Sequence, residues 1–351
     1  STFKISFFGK VTMCGIAGII KKNNNNNFSQ AVKEFEKSTS LMSHRGPDNY
    51  GKYIDDKIAL FHYRLKIIDL NKRSNQPFKV RDDSLIGVYN GEVYNFKKLR
   101  DDYRIPAVTT SDTEILFKTF ERYGVDVIRK WNGIFSVCFY DKSNGKVTLA
   151  RDRFGIKPLY FLNNDNYFVF ASEAKVIFDW LDSIKINHQS LIEYLWQGCT
   201  ISNNTIIDKV KKIEPGSWFC FNTNNNETRS EKFWDYTIKK APITFDEAVI
   251  KTKSLLDRAV KRQLISDVPL GVFLSGGLDS SAVTAFAAKN HSKRIKTFSV
   301  EFDYETNKYS ELKNARAISK IFNTEHHELK ISATGLENVI ENLTYQHDEP
   351  F

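Results

Sequence analysis

Residues 131–171 read WNGIFSVCFYDKSNGKVTLARDRFGIKPLYFLNNDNYFVFA. The runs IFSVCFYD and KVTLARD flank Ser143-Asn144-Gly145, a turn signal between two apolar segments, and so predict a hairpin. KPLYFL and YFVFAS extend the same grammar. Working outward, residues 15 to about 208 read mainly as short strands broken by Asn, Gly and Asp turns, with helices at roughly 28–43, at 113–123 and after Ser172. That alternation predicts stacked sheets with helices outside, an α+β layered architecture. The polyasparagine run 23–27 reads as a solvated loop to which no function is assigned.

Past Trp234 the pattern changes. Residues 245–263 read as a helix, 268–274 as a short apolar strand, 280–289 as a helix, 295–302 as a strand, 310–322 as a helix and 325–331 as a strand. This is βαβ grammar and predicts a parallel α/β sheet. The polar stretch NTNNNETRSEK places a linker at 222–241. The expected organisation is therefore a leader or mis-assigned start at 1–13, a first domain at 14–221, the linker, and at 242–351 the first part of a second domain. With about three strands before His347-Asp-Glu-Pro-Phe351, that second sheet is expected to be incomplete.

At 351 residues, 41% hydrophobic and 26% charged, the chain has the composition of a globular protein able to bury a core. Its 27 Phe and 15 Tyr suit a sheet-rich interior. The net charge of +9 is scattered among 42 acidic residues without a basic run, so no nucleic-acid partner is expected. No stretch reaches the length of a membrane span and the first thirteen residues lack the pattern of a secretory signal. Four cysteines without C-x-x-C spacing fit a reducing cytoplasm. The adjacent His326 and His327 face opposite sides of a strand, which argues against a metal pair.

Four segments carry candidate chemistry. In Met13-Cys14-Gly15 a Cys placed at a free N-terminus would carry its own base, because an α-amine with a pKa of about 7.7–8.0 suits proton abstraction near neutrality. Nucleophile and base would then share one residue. Arg64, in a segment FHYRLKIID that reads as a strand, offers a planar fork for a substrate carboxylate. Tyr89-Asn90-Gly91-Glu92 has the form of a hairpin turn, yet the Asn90 amide and Gly91 N–H could also face a developing oxyanion. Ser111-Asp112-Thr113-Glu114 has the S-x-x-E form of a capping box, with Asp112 free to pair a substrate ammonium. Together these residues meet the needs of a free α-amino acid bearing a side-chain amide.

In the second domain, Leu274-Ser275-Gly276-Gly277-Leu278-Asp279-Ser280-Ser281 falls between a strand and a helix, so backbone N–H groups and hydroxyls can meet an anion at the helix start. It lacks the Lys of a G-x-x-x-x-G-K-[ST] loop and the spacing of G-x-G-x-x-G.

CGIAG, HRGPD, RLKIID, YNGEVYNF, SDTE and RDRFGIKPLYF occur in the order found in class II glutamine amidotransferases, and the ensemble resembles the glutamine-dependent asparagine synthetase family from Met13 to Phe351. The resemblance implies an αββα N-terminal-nucleophile sandwich followed by a partial α/β parallel-sheet ATP-pyrophosphatase domain. It implies Cys14 as the glutaminase nucleophile, an oxyanion hole of Asn90 and Gly91, and a glutamine pocket of Arg64, Ile67, Ile68, Gly91, Glu92 and Asp112, supported by Arg45. By the same resemblance ATP would be bound by Leu274, Ser275, Gly276, Gly277, Asp279, Ser280 and Val300, with Asp279 helping to hold magnesium-pyrophosphate. Glutamine, aspartate, ATP and Mg2+ are the implied substrates and cofactors, and a homodimer or second chain would complete the synthetase domain. Alternatives are an amidotransferase acting on another carboxylate, such as a sugar acid of a surface polysaccharide, and a non-catalytic remnant or interaction module. The departure from the family is the leader, which leaves Cys14 internal.

Overall fold

The computed structural model describes residues 13–22, 27–303, 311–332 and 343–349. Most of the leader, most of the polyasparagine run and the last two residues lie outside them. Two compact units divide at Tyr236/Thr237, and the first also takes in the segment from Gln346.

The first unit contains strands β1 (Gly15–Lys21), β2 (Asn49–Ile54), β3 (Ile58–Arg64), β4 (Phe78–Val80), β5 (Leu85–Val93) and β6 (Gly133–Asp141). They are followed by β7 (Lys146–Arg151), β8 (Tyr160–Asn163), β9 (Tyr167–Ala171), β10 (Val210–Lys212), β11 (Ser217–Asn222) and β12 (Thr228–Lys232). Its helices are α1 (Phe28–Thr39), α2 (Phe96–Asp102), α3 (Asp112–Tyr123), α4 (Ala174–Trp180) and α5 (His188–Gln197). The strands form two six-stranded sheets, ordered β10-β8-β9-β1-β3-β2 and β12-β11-β7-β6-β5-β4.

Ile16, Ile20, Leu60 and Phe170 of one sheet pack on Ile86, Val88, Cys138, Leu149 and Phe221 of the other, so the inner faces share a core. The outer face of the first sheet packs Ala17, Ile19 and Phe61 against Val32 and Phe35 of α1 and Val176 of α4. On the second sheet, Phe120 of α3 stacks on Phe139 with ring centroids 3.9 Å apart. Helix, sheet, sheet, helix is the expected αββα sandwich. A strand such as β1, covered on both faces, reads as an unbroken apolar run rather than an alternation.

The turn at 142–145 forms as read. Asp141 Oδ1 accepts the Ser143 N–H at 3.0 Å and Gly145 takes φ 68°. Residues 222–232 differ from the expected linker: β12 pairs antiparallel with β11, carrying the first unit on to Tyr236. All five residues of β12, TRSEK, are exposed. A charged edge strand with two wet faces has no apolar alternation to announce it, and that polarity protects the edge from pairing elsewhere.

The second unit contains α6 (Phe245–Gln263), β13 (Gly271–Phe273), α7 (Leu278–Asn290), β14 (Lys296–Asp303), α8 (Leu312–Ile321) and β15 (Glu325–Ser332). The strands make a three-stranded parallel sheet, β13-β14-β15. Helix α6 starts at a complete capping box between Thr244 and Glu247. His326 bonds Thr297 Oγ1 at 2.9 Å and His327 stacks on Phe298, so both serve the packing of this sheet. Among the described residues no helix is long and apolar enough to cross a membrane.

Candidate active site

One cavity in the first unit is lined by Cys14, Arg64, Ile67, Ile68, Asn90, Gly91, Glu92 and Asp112, the full set of glutaminase residues read from the sequence. They arrive on four separate elements. Cys14 immediately precedes β1, Arg64 ends β3, Asn90 to Glu92 belong to β5, and Asp112 opens α3.

The Cys14 thiol lies against Leu65, accepting its N–H at 3.3 Å and facing its carbonyl at 3.5 Å. Burial pushes this thiol up; the Leu65 hydrogen bond and the charges of Arg64 and Lys157 pull it down, and Asp112 pushes it up again. On balance the sulfur is held as a thiol. Its backbone is fixed by Arg45, whose Nε donates to the Cys14 carbonyl at 3.0 Å while Nη1 pairs with buried Glu173 at 2.9 Å. His44 also contacts Glu173, at 3.1 Å, and Lys175 does so at 2.8 Å. Glu173 is held down to about 2 in spite of burial, because His44, Arg45 and Lys175 surround it. HRGPD is therefore a structural clamp on the Cys14 backbone.

The RLKIID segment is strand only through Arg64. There the guanidinium folds back onto the following loop, donating to Asn71 O at 2.9 Å and Asn75 Oδ1 at 2.7 Å. A planar fork satisfied by loop oxygens ends the strand and aims the loop at the cavity. Asp69 secures that loop to the approach of α3, accepting the Thr110 N–H at 3.0 Å and the Asn71 N–H at 3.1 Å.

Asn90-Gly91 is not a turn. It lies within β5, paired with Ser136 and Phe135 of β6. A type I′ turn requires positive φ at both central residues, and only Gly91 has it. Glycine is needed at 91 for space: a Cβ there would run into the Ile134 carbonyl oxygen and lie 2.6 Å from Phe135 Cα. The Asn90 side chain is buried, and among the described residues its Nδ2 has no hydrogen-bond partner.

The Ser111 segment caps α3 differently from the expected box. Ser111 Oγ accepts the Thr113 N–H at 3.1 Å, while Glu114 bonds the Val108 and Thr109 N–H groups and pairs with Lys118 at 2.7 Å. Asp112 accepts Tyr89 OH at 2.8 Å, Val93 N–H at 3.1 Å and Thr113 N–H at 2.8 Å. Burial still raises its carboxyl. Tyr89 is positioned in turn by Gln76, whose Oε1 accepts its N–H at 2.6 Å. Gln76, Tyr89 and Lys157 also line the cavity and were not singled out in the sequence. Lys157 and Tyr89 are signalled only by their places in RDRFGIKPLYF and YNGEVYNF.

Glu92 titrates at about 7, raised by burial and by Asp112 and lowered by Lys157. An unfolded Glu releases its proton near 4.5. Between these values the folded state binds more protons, so stability falls as pH rises through that window. Glu92→Gln should remove roughly 2 kcal/mol of that fall, once partial exposure to water is allowed for. Urea midpoints at pH 5 and pH 8 check this, and an unchanged pH slope would refute it.

In the second unit Leu274 to Gly277 form the loop from β13 to α7, and Val300 lies on the neighbouring β14. The loop closes on itself through Ser275 Oγ and Ser280 Oγ, 2.9 Å apart, and Gly277 N–H donates to Ser275 Oγ at 3.3 Å. Gly276 takes φ 86°, and a Cβ there would lie 2.7 Å from Ala315 N. Leu274 N–H donates to Phe298 O at 2.8 Å, which seats the loop at the carboxyl end of β13. That is where open α/β sheets bind ligands. Asp279 is exposed in the first turn of α7.

The profile described as Glutamine amidotransferase domain matches residues 13–234, and that described as Asparagine synthase matches 251–351. A Methanocaldococcus jannaschii protein named for glutamine-hydrolysing asparagine synthetase is 33% identical over 97% of this chain and 69% of its own length. The chain belongs to the glutamine-hydrolysing asparagine synthetase family. Its first unit is thus an N-terminal-nucleophile sandwich and its second a partial α/β synthetase unit. Asparagine synthetase [glutamine-hydrolyzing] 1 of Bacillus subtilis is 30% identical over 96% of this chain and 53% of its own length. Amidase chry2 of Gibberella zeae is equally similar, 30% identical over 96% of this chain and 54% of its own. The chain spans about half the length of these two relatives.

Proposed function

We propose that this family member hydrolyses glutamine at Cys14 and delivers the ammonia to an ATP-activated carboxylate, that of aspartate. The observation that carries the reading is the meeting, in one cavity, of the Cys14 thiol with the buried Asn90 Nδ2, which has no hydrogen-bond partner among the described residues. Arg64 takes the substrate carboxylate by exchanging part of its hydrogen bonding to the 68–75 loop, aided by backbone at Ile67 and Ile68; Asp112 and Glu92 take its ammonium. Once Cys14 is the first residue, its α-amine accepts the thiol proton as sulfur bonds to the amide carbon. The Asn90 amide and Gly91 N–H hold the oxyanion. Ammonia leaves with the proton carried by the amine, and water, deprotonated by the same amine, cleaves the thioester to glutamate.

In the second unit the glycine loop would receive the β and γ phosphates of ATP. The acceptor carboxylate attacks the α phosphorus, pyrophosphate leaves, and ammonia displaces AMP from the acyl-adenylate. Among the described residues no group of three His, Cys, Asp or Glu could hold a metal by itself. One exposed carboxylate, Asp279, beside a phosphate cradle fits magnesium, which prefers one or two carboxylates plus phosphate oxygens. When bound it would neutralise the pyrophosphate. The equal similarity to Amidase chry2 supports a second reading in which another carboxylate is the acceptor.

The test is glutaminase activity as a function of the N-terminus. Protein beginning at Cys14 should release ammonia from glutamine, whereas protein retaining Met13, in which the Cys14 nitrogen is an amide, should be inactive. Equal turnover by both forms, verified by intact mass, would overturn the mechanism.

A further inference from the structure

Lys157 reaches the glutaminase cavity on a turn whose backbone is fixed at both ends of the residue. Its N–H donates to Asp152 Oδ2 at 2.9 Å and its carbonyl accepts Arg151 Nε at 2.8 Å. The buried Asp152 carboxylate also receives the N–H groups of Phe135, Phe154 and Ile156, each at 3.1 Å. This is a heavily built support for one lysine. Yet among the described residues no carboxylate lies within ion-pair distance of its ammonium, and its hydrogen-bond partner is Met13 Sδ at 3.0 Å. A thioether is a weak acceptor.

The charged groups that face Lys157 are Arg45 from the clamp, Glu92 from β5, Cys14 ahead of β1, and Asp152 of its own turn. Arg64 and Asp112 act on Cys14 across the same cavity. The contact with Met13 gives the arrangement its meaning, since Met13 is the residue whose loss frees the Cys14 nitrogen. We propose that the Lys157 ammonium keeps the Cys14 α-amine unprotonated at neutral pH, so that the amine can take the thiol proton. This rests on the reading of Cys14 as a free N-terminal nucleophile. Two ammonium groups in one partly buried cavity repel, which disfavours the protonated amine, and the same cation attracts the thiolate as it forms. Burial and Arg45 pull the Lys157 ammonium down while Glu92, Cys14 and Asp152 push it up; it is a positioning residue that acts through the amine.

The experiment uses protein beginning at Cys14 and follows kcat/KM for glutamine from about pH 5.5 to 9.5. In Lys157→Met the acid limb should move up by about one pH unit, giving roughly tenfold loss near pH 6 that recovers in alkali. Lys157→Arg should track the unaltered protein. A uniform loss at every pH with the limb unmoved would overturn the proposal. Should Lys157→Met fail to fold, acylation of the Cys14 α-amine in the unaltered protein, followed by mass spectrometry against pH, decides the matter. A midpoint below the usual ~7.7–8.0 is expected, and one at or above that range overturns the proposal. Failure of the underlying reading looks different, because the unaltered protein would then hydrolyse no glutamine or Cys14→Ala would still do so.

Discussion

Cys14→Ala should abolish glutamine hydrolysis by the protein that begins at residue 14, lowering ammonia release at least about ten-thousandfold, as loss of a covalent nucleophile does. No other thiol can substitute. Cys138 is fully buried between the sheets, Cys199 is exposed, and Cys220 lies on β11 outside the cavity. Their Ala variants should keep turnover. Cys138→Ala removes a sulfur from the inter-sheet core at a cost of about 1–2 kcal/mol, so its assay belongs well below its unfolding temperature. A Cys14→Ala protein that still releases ammonia would remove the basis for every role assigned around it.

The layered fold was legible because strands and turns in the stretch 131–171 signal locally: apolar runs on either side of Ser143-Asn144-Gly145 need no tertiary information. Where a tertiary partner overrides the local signal, the reading fails. FHYRLKIID has strand composition throughout, but the Arg64 guanidinium is satisfied by loop oxygens of Asn71 and Asn75, and the strand ends at that residue. Asn90-Gly91 has turn chemistry but is held flat by its full pairing with β6. Helix α5, which Asn187 caps and Gly198 closes at φ 75°, is legible only as helix after Ser172, without bounds. Leu191, Ile192, Leu195 and Trp196 recur at helical spacing, but Ile192, Leu195 and Trp196 are exposed, so most of that stripe lies outside the core. The site residues Arg64 and Asp112 were legible from charge chemistry, whereas Gln76 and Tyr89 act only through contacts that close in three dimensions. A Gln whose role is to accept one strand N–H carries no signature in one dimension.

Asn90→Ala should lower kcat for glutamine hydrolysis by about a hundredfold or more with KM nearly unchanged, because an oxyanion donor acts only when charge develops in the transition state. The structure makes this a clean substitution. The Asn90 backbone is held by pairing with Ser136, so truncating the side chain does not release β5. Its Nδ2 is buried with no partner among the described residues, so no internal hydrogen bond is lost. Removing an unsatisfied buried donor should leave stability unchanged or raise it. Asp112→Asn behaves in the opposite way. Its carboxylate holds Tyr89, Val93 and Thr113 as well as facing the cavity, so the variant should lose stability and raise KM tenfold or more with a smaller change in kcat. Steady-state kinetics and thermal midpoints on both variants separate the two roles. If Asn90→Ala hydrolyses glutamine normally, Asn90 is only a polar side chain enclosed by β5 and β6, and the oxyanion must be held elsewhere.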